Sequence, residues 1–139
     1  MNRRSGVERR AAAEAFVWLV AASLVVRFAP FRTIATIARR RVDARPPADP
    51  GRQVALVGWA VAAAARRARF RAVCIERGLA AQAMLRRRGI ATTLHYGVAR
   101  AGGNLTAHVW VRWGEHDVAG GAEAAGFREL AVFTPDGTG

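Results

Sequence analysis

The sequence predicts an α+β fold in which helices come first and a small antiparallel sheet follows. Alanine-rich segments with apolar residues at helical spacing occupy most of the chain up to about residue 88. Beyond residue 90, two segments of alternating polar and apolar residues flank a Gly-Gly turn, which is typical of paired strands. The single cysteine of the chain precedes the last helical segment, and all three histidines follow it.

The composition narrows the class of protein. A chain of 139 residues, 52% of them apolar, predicts one domain with its own core. A single cysteine excludes an intrachain disulfide and favours a reducing compartment, so we expect a cytoplasmic protein. The formal charge of +12 arises from 22 basic residues, all arginine, and 10 acidic residues, and it favours anionic partners in general. Because arginine and alanine are also abundant in proteins of GC-rich genomes, this charge does not indicate a function, and no nucleic-acid partner is expected.

The N-terminal segment, residues 1–45, is predicted to be helical. Its apolar run, residues 11–28, contains an uncharged stretch of twelve residues from 15 to 26, which is shorter than the ~20 residues that span a bilayer. We interpret this run as a buried helix. A membrane-surface helix and a signal or spanning segment are the alternatives, so membrane association stays open. A second helix follows Pro30 and places arginines 39–41 in its last turn, where cations suit the helix dipole.

A proline-rich break at residues 42–51 separates this segment from a predicted core at residues 51–139. Two more helices follow the break. The first carries a stripe of valines and ends in arginines. The second runs from Val73 to about Arg88, and Gly89 suits its C-terminal cap.

The strands of the sheet are predicted from residue 91 onward. The two paired strands are residues 91–100 and 105–113, a third strand begins near residue 116, and a last strand occupies residues 127–133 after a loose segment at 120–126. Alternation in the second strand assigns its side chains to two faces. One face carries Leu105, Ala107, Val109 and Val111, and the other carries Thr106, His108, Trp110 and Arg112.

The candidate catalytic residues are Cys74 and His108. A thiol at a helix N-terminus with arginines nearby in sequence is favoured as a thiolate, although a free cysteine is often simply buried. A thiol and an imidazole are the minimum set for covalent acyl transfer. We expect His108 to accept the proton of Cys74, the thiolate to attack a peptide carbonyl, and backbone N–H groups to stabilise the oxyanion. A third group should fix the imidazole tautomer, and Asp117 is the nearest acid beyond the turn, although it could equally be a solvated turn residue.

No metal or other cofactor is expected. His95 and His116 are interpreted as structural or solvent-exposed residues. The spacing of the cysteine and the three histidines matches no common zinc pattern, and the Gly-Gly turn is not a phosphate-binding loop.

Three motifs together resemble a known family. The run CIERGLAAQAMLRRRGI at 74–90, a strand that ends near YGV, and AHVWV at 107–111 resemble the lasso-peptide maturation proteases, which belong to the transglutaminase-like superfamily. The resemblance covers about residues 54–133. It implies a transglutaminase-like, papain-like cysteine-protease core in which a nucleophile helix packs on a small antiparallel sheet after N-terminal helices. It also implies Cys74 as nucleophile and His108 as general base.

This resemblance implies a leader peptidase that cuts the leader from a precursor peptide, together with a separate leader-recognition protein and a lasso cyclase. The family usually has Glu where this chain has Arg112. Its third catalytic residue is an Asp about a dozen positions after the histidine, a register that falls on Gly120. Either Asp117 moves in through a shorter turn, or a backbone carbonyl near Gly120 orients the imidazole.

Two other classes of function stay open. The same thiol and imidazole would serve an amidase or a transglutaminase, because the chemistry is shared. A non-enzymatic basic module for membrane or nucleic acid would use arginine and aromatic side chains on one exposed face. Trp110 and Arg112 share a predicted face with His108, so a binding groove on that face stays open as an alternative.

Overall fold

The computed structural model describes residues 5–68 and 74–135. In these ranges the chain forms four α-helices, one short 3-10 helix and one four-stranded sheet. The helices are α1 (Gly6–Phe28), α2 (Phe31–Ala38), α3 (Pro50–Arg67) and α4 (Cys74–Arg87). The strands are β1 (Thr93–Ala101), β2 (Asn104–Trp113), β3 (His116–Ala119) and β4 (Arg128–Phe133), and the 3-10 helix (Gly121–Gly126) connects β3 to β4.

The sheet is antiparallel throughout, with strand order β3-β2-β1-β4. Strands β1 and β2 form a hairpin in which Gly97 lies opposite His108 and His95 lies opposite Trp110. The turn of this hairpin contains two glycines with positive φ, Gly102 and Gly103, a conformation that other residues rarely adopt. The predicted α+β fold is confirmed.

Helix α4 lies at the centre of the protein, and almost all of its surface is covered. One side packs on α1 and α3, where Met84 and Leu85 are fully buried. The opposite side packs on the sheet at Gly78, where an added Cβ would come within 3.2 Å of Val109 Cγ1 and 3.3 Å of Val111 Cγ2. Small residues on α4 therefore let both layers approach closely, and this close packing fixes the N-terminal end of α4 against β2.

The helix ends follow the sequence signals in most places. Ser5 caps α1 by accepting the backbone N–H of Glu8, and Asp49 caps α3 by accepting that of Arg52. After α4, Gly89 adopts a φ of 77°, and the N–H of Ile90 bonds the carbonyl of Leu85, as expected for a glycine C-cap.

Two local predictions were wrong. Helix α2 ends at Ala38, so arginines 39–41 follow the helix and do not form its last turn. The N–H of Arg39 bonds the carbonyls of both Ala35 and Thr36, which tightens and closes the helix one turn earlier than the pattern suggested. The segment expected to be loose, residues 120–126, contains the 3-10 helix, because short i→i+3 turns need little apolar patterning.

Helix α1 shares its core with helices from beyond the proline-rich break. Ala11, Ala15 and Leu19 are buried against α3 and α4. Glu14 forms ion pairs with Arg87 at 3.0 Å and Arg88 at 2.9 Å. The opposite side of α1 carries exposed apolar residues, and the helix is long and apolar enough to cross a membrane by length and composition. The expectation of a buried helix therefore holds for one side of α1.

Candidate active site

The sulfur of Cys74 lies against the edge of strand β2. Cys74 is the first residue of α4, and its side chain is partly exposed. Its Sγ atom accepts a hydrogen bond from the backbone N–H of Val109, with an N–S distance of 3.3 Å. That N–H belongs to the peptide group that joins His108 to Val109. The fold thus brings the thiol to the segment of β2 that carries the predicted base.

The early end of β3 explains why this N–H is available to the sulfur. The last residue of β3, Ala119, lies opposite Val111 of β2. The carbonyl oxygen of Val109 lies on this same side of β2, because a Cβ placed on Gly120 would come within 2.7 Å of it. The N–H and C=O of a strand residue point to the same side. The N–H of Val109 therefore faces the edge where β3 has already ended, and it donates to Cys74.

The hydrogen bond between the His108 ring and Gly120 assigns the tautomer of His108. The Nε2 atom lies 2.8 Å from the carbonyl oxygen of Gly120. A carbonyl oxygen can only accept, so Nε2 carries a proton and donates it. In the neutral ring the lone pair is then on Nδ1. In this tautomer Nδ1 is the ring nitrogen of His108 that can accept a proton.

Two aromatic rings fix the plane of the His108 imidazole. Trp110 stacks on it with 5.9 Å between centroids and 22° between planes. Phe127 covers it at 5.0 Å. His108 as a whole is only 5% exposed. Packing and a hydrogen bond together hold the ring in one orientation, which is the preorganisation that a catalytic base needs.

Gly120 supplies the carbonyl, and no other residue fits its position. Its φ of 75° lies in the left-handed region, which side chains disfavour. A Cβ there would also lie 3.2 Å from His108 Nε2 and 2.7 Å from the oxygen of Val109. Both constraints exclude a side chain at this position, so the close approach of the 119–121 backbone to His108 depends on glycine.

Asp117 is held by a different partner. Its Oδ1 atom lies 3.4 Å from Nε of Arg112, and its side chain is half exposed. Arg112 also donates to the carbonyl of Glu115 at 2.9 Å, so it ties the β2–β3 turn together. Of the two alternatives for the third group, the geometry therefore favours the Gly120 carbonyl over Asp117. Arg112 holds Asp117 in the turn. The lasso-peptide proteases that the sequence resembles usually have Glu at this position.

The other two histidines have separate partners. His95 pairs with Glu129 through Nδ1, accepts or donates at Nε2 with the Thr93 hydroxyl at 2.8 Å, and stacks on Trp110. His116 stacks on Trp113. Across residues 5–68 and 74–135, no group of three or more histidine, cysteine or acidic side chains is placed to hold a metal ion. The expectation that this protein needs no metal stays a prediction.

Some features of the site had no clear signal in the sequence. Phe127 begins a predicted strand, and nothing in the local pattern places its ring on His108. The hydrogen bond from the Val109 N–H to the sulfur requires that β3 has already ended beside Val109. The alternation of polar and apolar residues does not specify where a strand ends. The side chain of Glu76, in the first turn of α4, is buried, whereas glutamate is usually exposed unless it is paired. The adjacent glycines at 120 and 121 were the one available hint of a special backbone conformation near the histidine.

Comparison with known families gives one match. A model described as the transglutaminase-like superfamily matches residues 16–132, from the middle of α1 to the end of the sheet. The matched region includes both Cys74 and His108. No curated protein and no solved structure matches the chain. The match agrees with a helix-borne thiol packed on an antiparallel sheet, the fold type of cysteine peptidases and acyltransferases.

Proposed function

This chain belongs to the transglutaminase-like superfamily, and we propose that it is a cysteine peptidase that removes the leader from a lasso-type precursor peptide. In this proposal it acts in the cytoplasm with a separate leader-recognition protein and a cyclase. Two contacts on neighbouring residues of β2 support the enzymatic part: the Cys74 sulfur accepts the backbone N–H of Val109, and the Gly120 carbonyl accepts Nε2–H of His108, the residue before it. The precursor class rests on the motifs at 74–90 and 107–111.

The proposed reaction begins with proton transfer from the Cys74 thiol to Nδ1 of His108. The N–H of Val109, which already bonds the Cys74 sulfur at 3.3 Å, then donates to the thiolate. The imidazolium keeps its bond to Gly120 through Nε2. The sulfur then attacks the scissile carbonyl carbon, forming a C–S bond and an oxyanion.

The second half of the reaction returns the enzyme to its starting state. The Nδ1 proton passes to the leaving amine as the C–N bond breaks, which leaves a thioester on Cys74. Water then gives a proton to Nδ1 and adds to the thioester carbonyl. The C–S bond breaks, the thiolate recovers that proton, and the leader is released with a new carboxylate. The N–H groups in the first turn of α4 have no partner within the helix and are suited to stabilise both oxyanions.

The test is cleavage of the precursor in the presence of its leader-recognition protein, followed by mass spectrometry of both fragments. We expect the wild-type chain to produce leader and core peptide, and Cys74→Ala to produce neither. His116→Ala is the matched control, because His116 stacks on Trp113 away from the sulfur. Cleavage that survives in Cys74→Ala would rule out the proposed nucleophile.

A primary amine added to the same assay separates hydrolysis from acyl transfer. Both reactions pass through the thioester on Cys74, so they differ only in the second nucleophile. A peptidase gives a free carboxylate at the end of the leader even when amine is present. A product that is mainly the amide of the leader would instead identify an acyltransferase.

A further inference from the structure

Helix α1 has an apolar ridge on the side that faces away from the core. The ridge consists of Val17, Val20, Leu24 and Phe28, which follow one another at helical spacing. Val17 is 65% exposed and Leu24 is 54% exposed. Arginines lie at both ends of this side of the helix, with Arg9 and Arg10 before it and Arg27 near its end.

A basic groove runs along each side of the ridge. The groove between α1 and α3 has a volume of about 670 Å³ and is lined by alanines, Phe16, Trp59 and three arginines, Arg9, Arg66 and Arg67. The groove between α1, α2 and α4 has a volume of about 450 Å³, an apolar floor that includes Leu79, and a rim with Arg40, Arg41 and Arg86. The ridge therefore projects between two rows of guanidinium groups.

Most of these guanidinium groups have no carboxylate partner within the described ranges. Glu14 pairs with Arg87 and Arg88, and Asp43 lines the second groove without an ion pair to its arginines. Arg86 donates to the carbonyl of Ile37. Burial, and then the positive charge of Arg40, lower the pKa of Arg86, so an anion in this groove would relieve an existing repulsion.

We propose that this face of α1 docks on the surface of an anionic phospholipid bilayer, with the ridge at the acyl boundary and the flanking arginines on headgroup phosphates. A helix with an outward apolar side and cations beside it lies in the plane of the interface. Each arginine close to such a surface adds electrostatic attraction that falls with salt. The helix lies on the bilayer and does not cross it, because its other side is the protein core and holds Glu14 against α4.

The arrangement of charge disfavours a second copy of the chain as the occupant. A two-fold contact through the ridge would place the same rows of arginines opposite each other. Like charges that face each other across an interface oppose association. An anionic lipid surface instead offers hydrocarbon to the ridge and phosphate to both grooves at once.

The experiment is co-sedimentation of the full chain with vesicles of phosphatidylcholine, alone or mixed with phosphatidylglycerol. We expect binding to the mixed vesicles only, with loss of binding as sodium chloride is raised. Val17→Asp with Leu24→Asp should weaken binding about tenfold or more, because two apolar side chains leave the acyl boundary. Arg66→Gln with Arg67→Gln should reduce the dependence on phosphatidylglycerol.

The matched control is Leu105→Asp with Leu130→Asp, two equally exposed apolar residues on the sheet. These changes should leave binding unchanged, and circular dichroism should give the same helical content for all variants. Equal binding to neutral vesicles would overturn the proposal, as would binding that Val17→Asp with Leu24→Asp does not change. Protein that alkaline carbonate fails to extract from the vesicles would also overturn it. A dimer in light scattering that the ridge variant converts to a monomer would also overturn it.

Discussion

The backbone carbonyl of Gly120 accepts a hydrogen bond from Nε2 of His108 at 2.8 Å, in the position that an acidic side chain takes in a catalytic triad. A carbonyl fixes the ring and its tautomer as an acidic side chain does. It carries no formal charge, so it stabilises the imidazolium less than a carboxylate would. In the proposed reaction the Gly120 carbonyl would therefore orient the imidazole without adding a charge.

Gly120→Ala should abolish or severely reduce cleavage. The new methyl group would meet the Val109 oxygen and the His108 ring, so the carbonyl must move away from Nε2. Misplaced catalytic groups commonly lower rates about a hundredfold. The measurement is kcat/KM for precursor cleavage, with thermal unfolding to follow stability.

Gly114→Ala is the control for this change. Gly114 also has a positive φ, 58°, but no atom lies within 4 Å of its Cβ position. Both variants should lose about 1–2 kcal/mol of stability from backbone strain. Equal activity in the two variants would contradict an orienting role for Gly120.

Asp117→Asn should change cleavage little. Asp117 pairs with Arg112 in an exposed turn, and exposed ion pairs are worth at most about 1 kcal/mol. When an acidic side chain does orient the base, its replacement by the amide lowers kcat by about 10⁴. A loss of that size, measured as kcat on the precursor, would assign Asp117 to the third position after all.

Trp110→Leu should lower activity more than it lowers stability. The indole stacks on the rings of both His95 and His108, so its removal frees the His108 imidazole to rotate. Trp113→Leu is the matched change, since Trp113 stacks on His116 and is not part of the same row of rings. We expect a fall in kcat of about tenfold or more for Trp110→Leu only. Similar kinetics for the two variants would mean that the stack does not position His108.

Glu14→Gln should reduce stability at neutral pH by about 1 kcal/mol. Burial acts to raise the pKa of Glu14, but the hydrogen bond and charge of Arg88, with the charge of Arg87, lower it below its ordinary value. A carboxyl whose folded pKa is lowered contributes stability above its unfolded pKa, and that contribution is lost as pH falls through the folded pKa. The variant should therefore approach the wild type in acid.

The measurement for Glu14 is urea unfolding at several pH values between neutrality and the acid range. Glu115→Gln, at an exposed turn, should follow the wild type at every pH. A difference between Glu14→Gln and wild type that stays constant into acid would show that the lost contact is not an ion pair.

The sheet could be predicted because local patterns encode it, whereas the catalytic roles of Cys74 and His108 stay predictions. Alternation in residues 105–113 places Val109 and Val111 toward α4, and the structure agrees, since both contact the Gly78 position. Gly89 and the turn glycines, Gly102 and Gly103, adopt positive φ angles that favour glycine, so glycine at these positions is a direct signal in the sequence.

The third group and the ring contacts could not be predicted for a physical reason. A backbone carbonyl is present at every residue, so nothing in the sequence marks the one that meets His108. Its position follows from the length of β3 and from the left-handed turn at Gly120, both of which are set by tertiary packing. For the same reason Asp117, the carboxylate nearest in sequence, was the available candidate for the third group. In the structure its side chain pairs with Arg112 in the turn.

The core that α1 shares with α4 limits how far this chain can be shortened. A version that began after residue 45 would keep Cys74, His108 and Gly120. It would also uncover Met84 and Ala80 along the rear of the nucleophile helix and leave Arg88 without Glu14. Apolar surface of that kind promotes aggregation. The first helix thus supports the helix that carries Cys74, although none of its own atoms takes part in the proposed reaction.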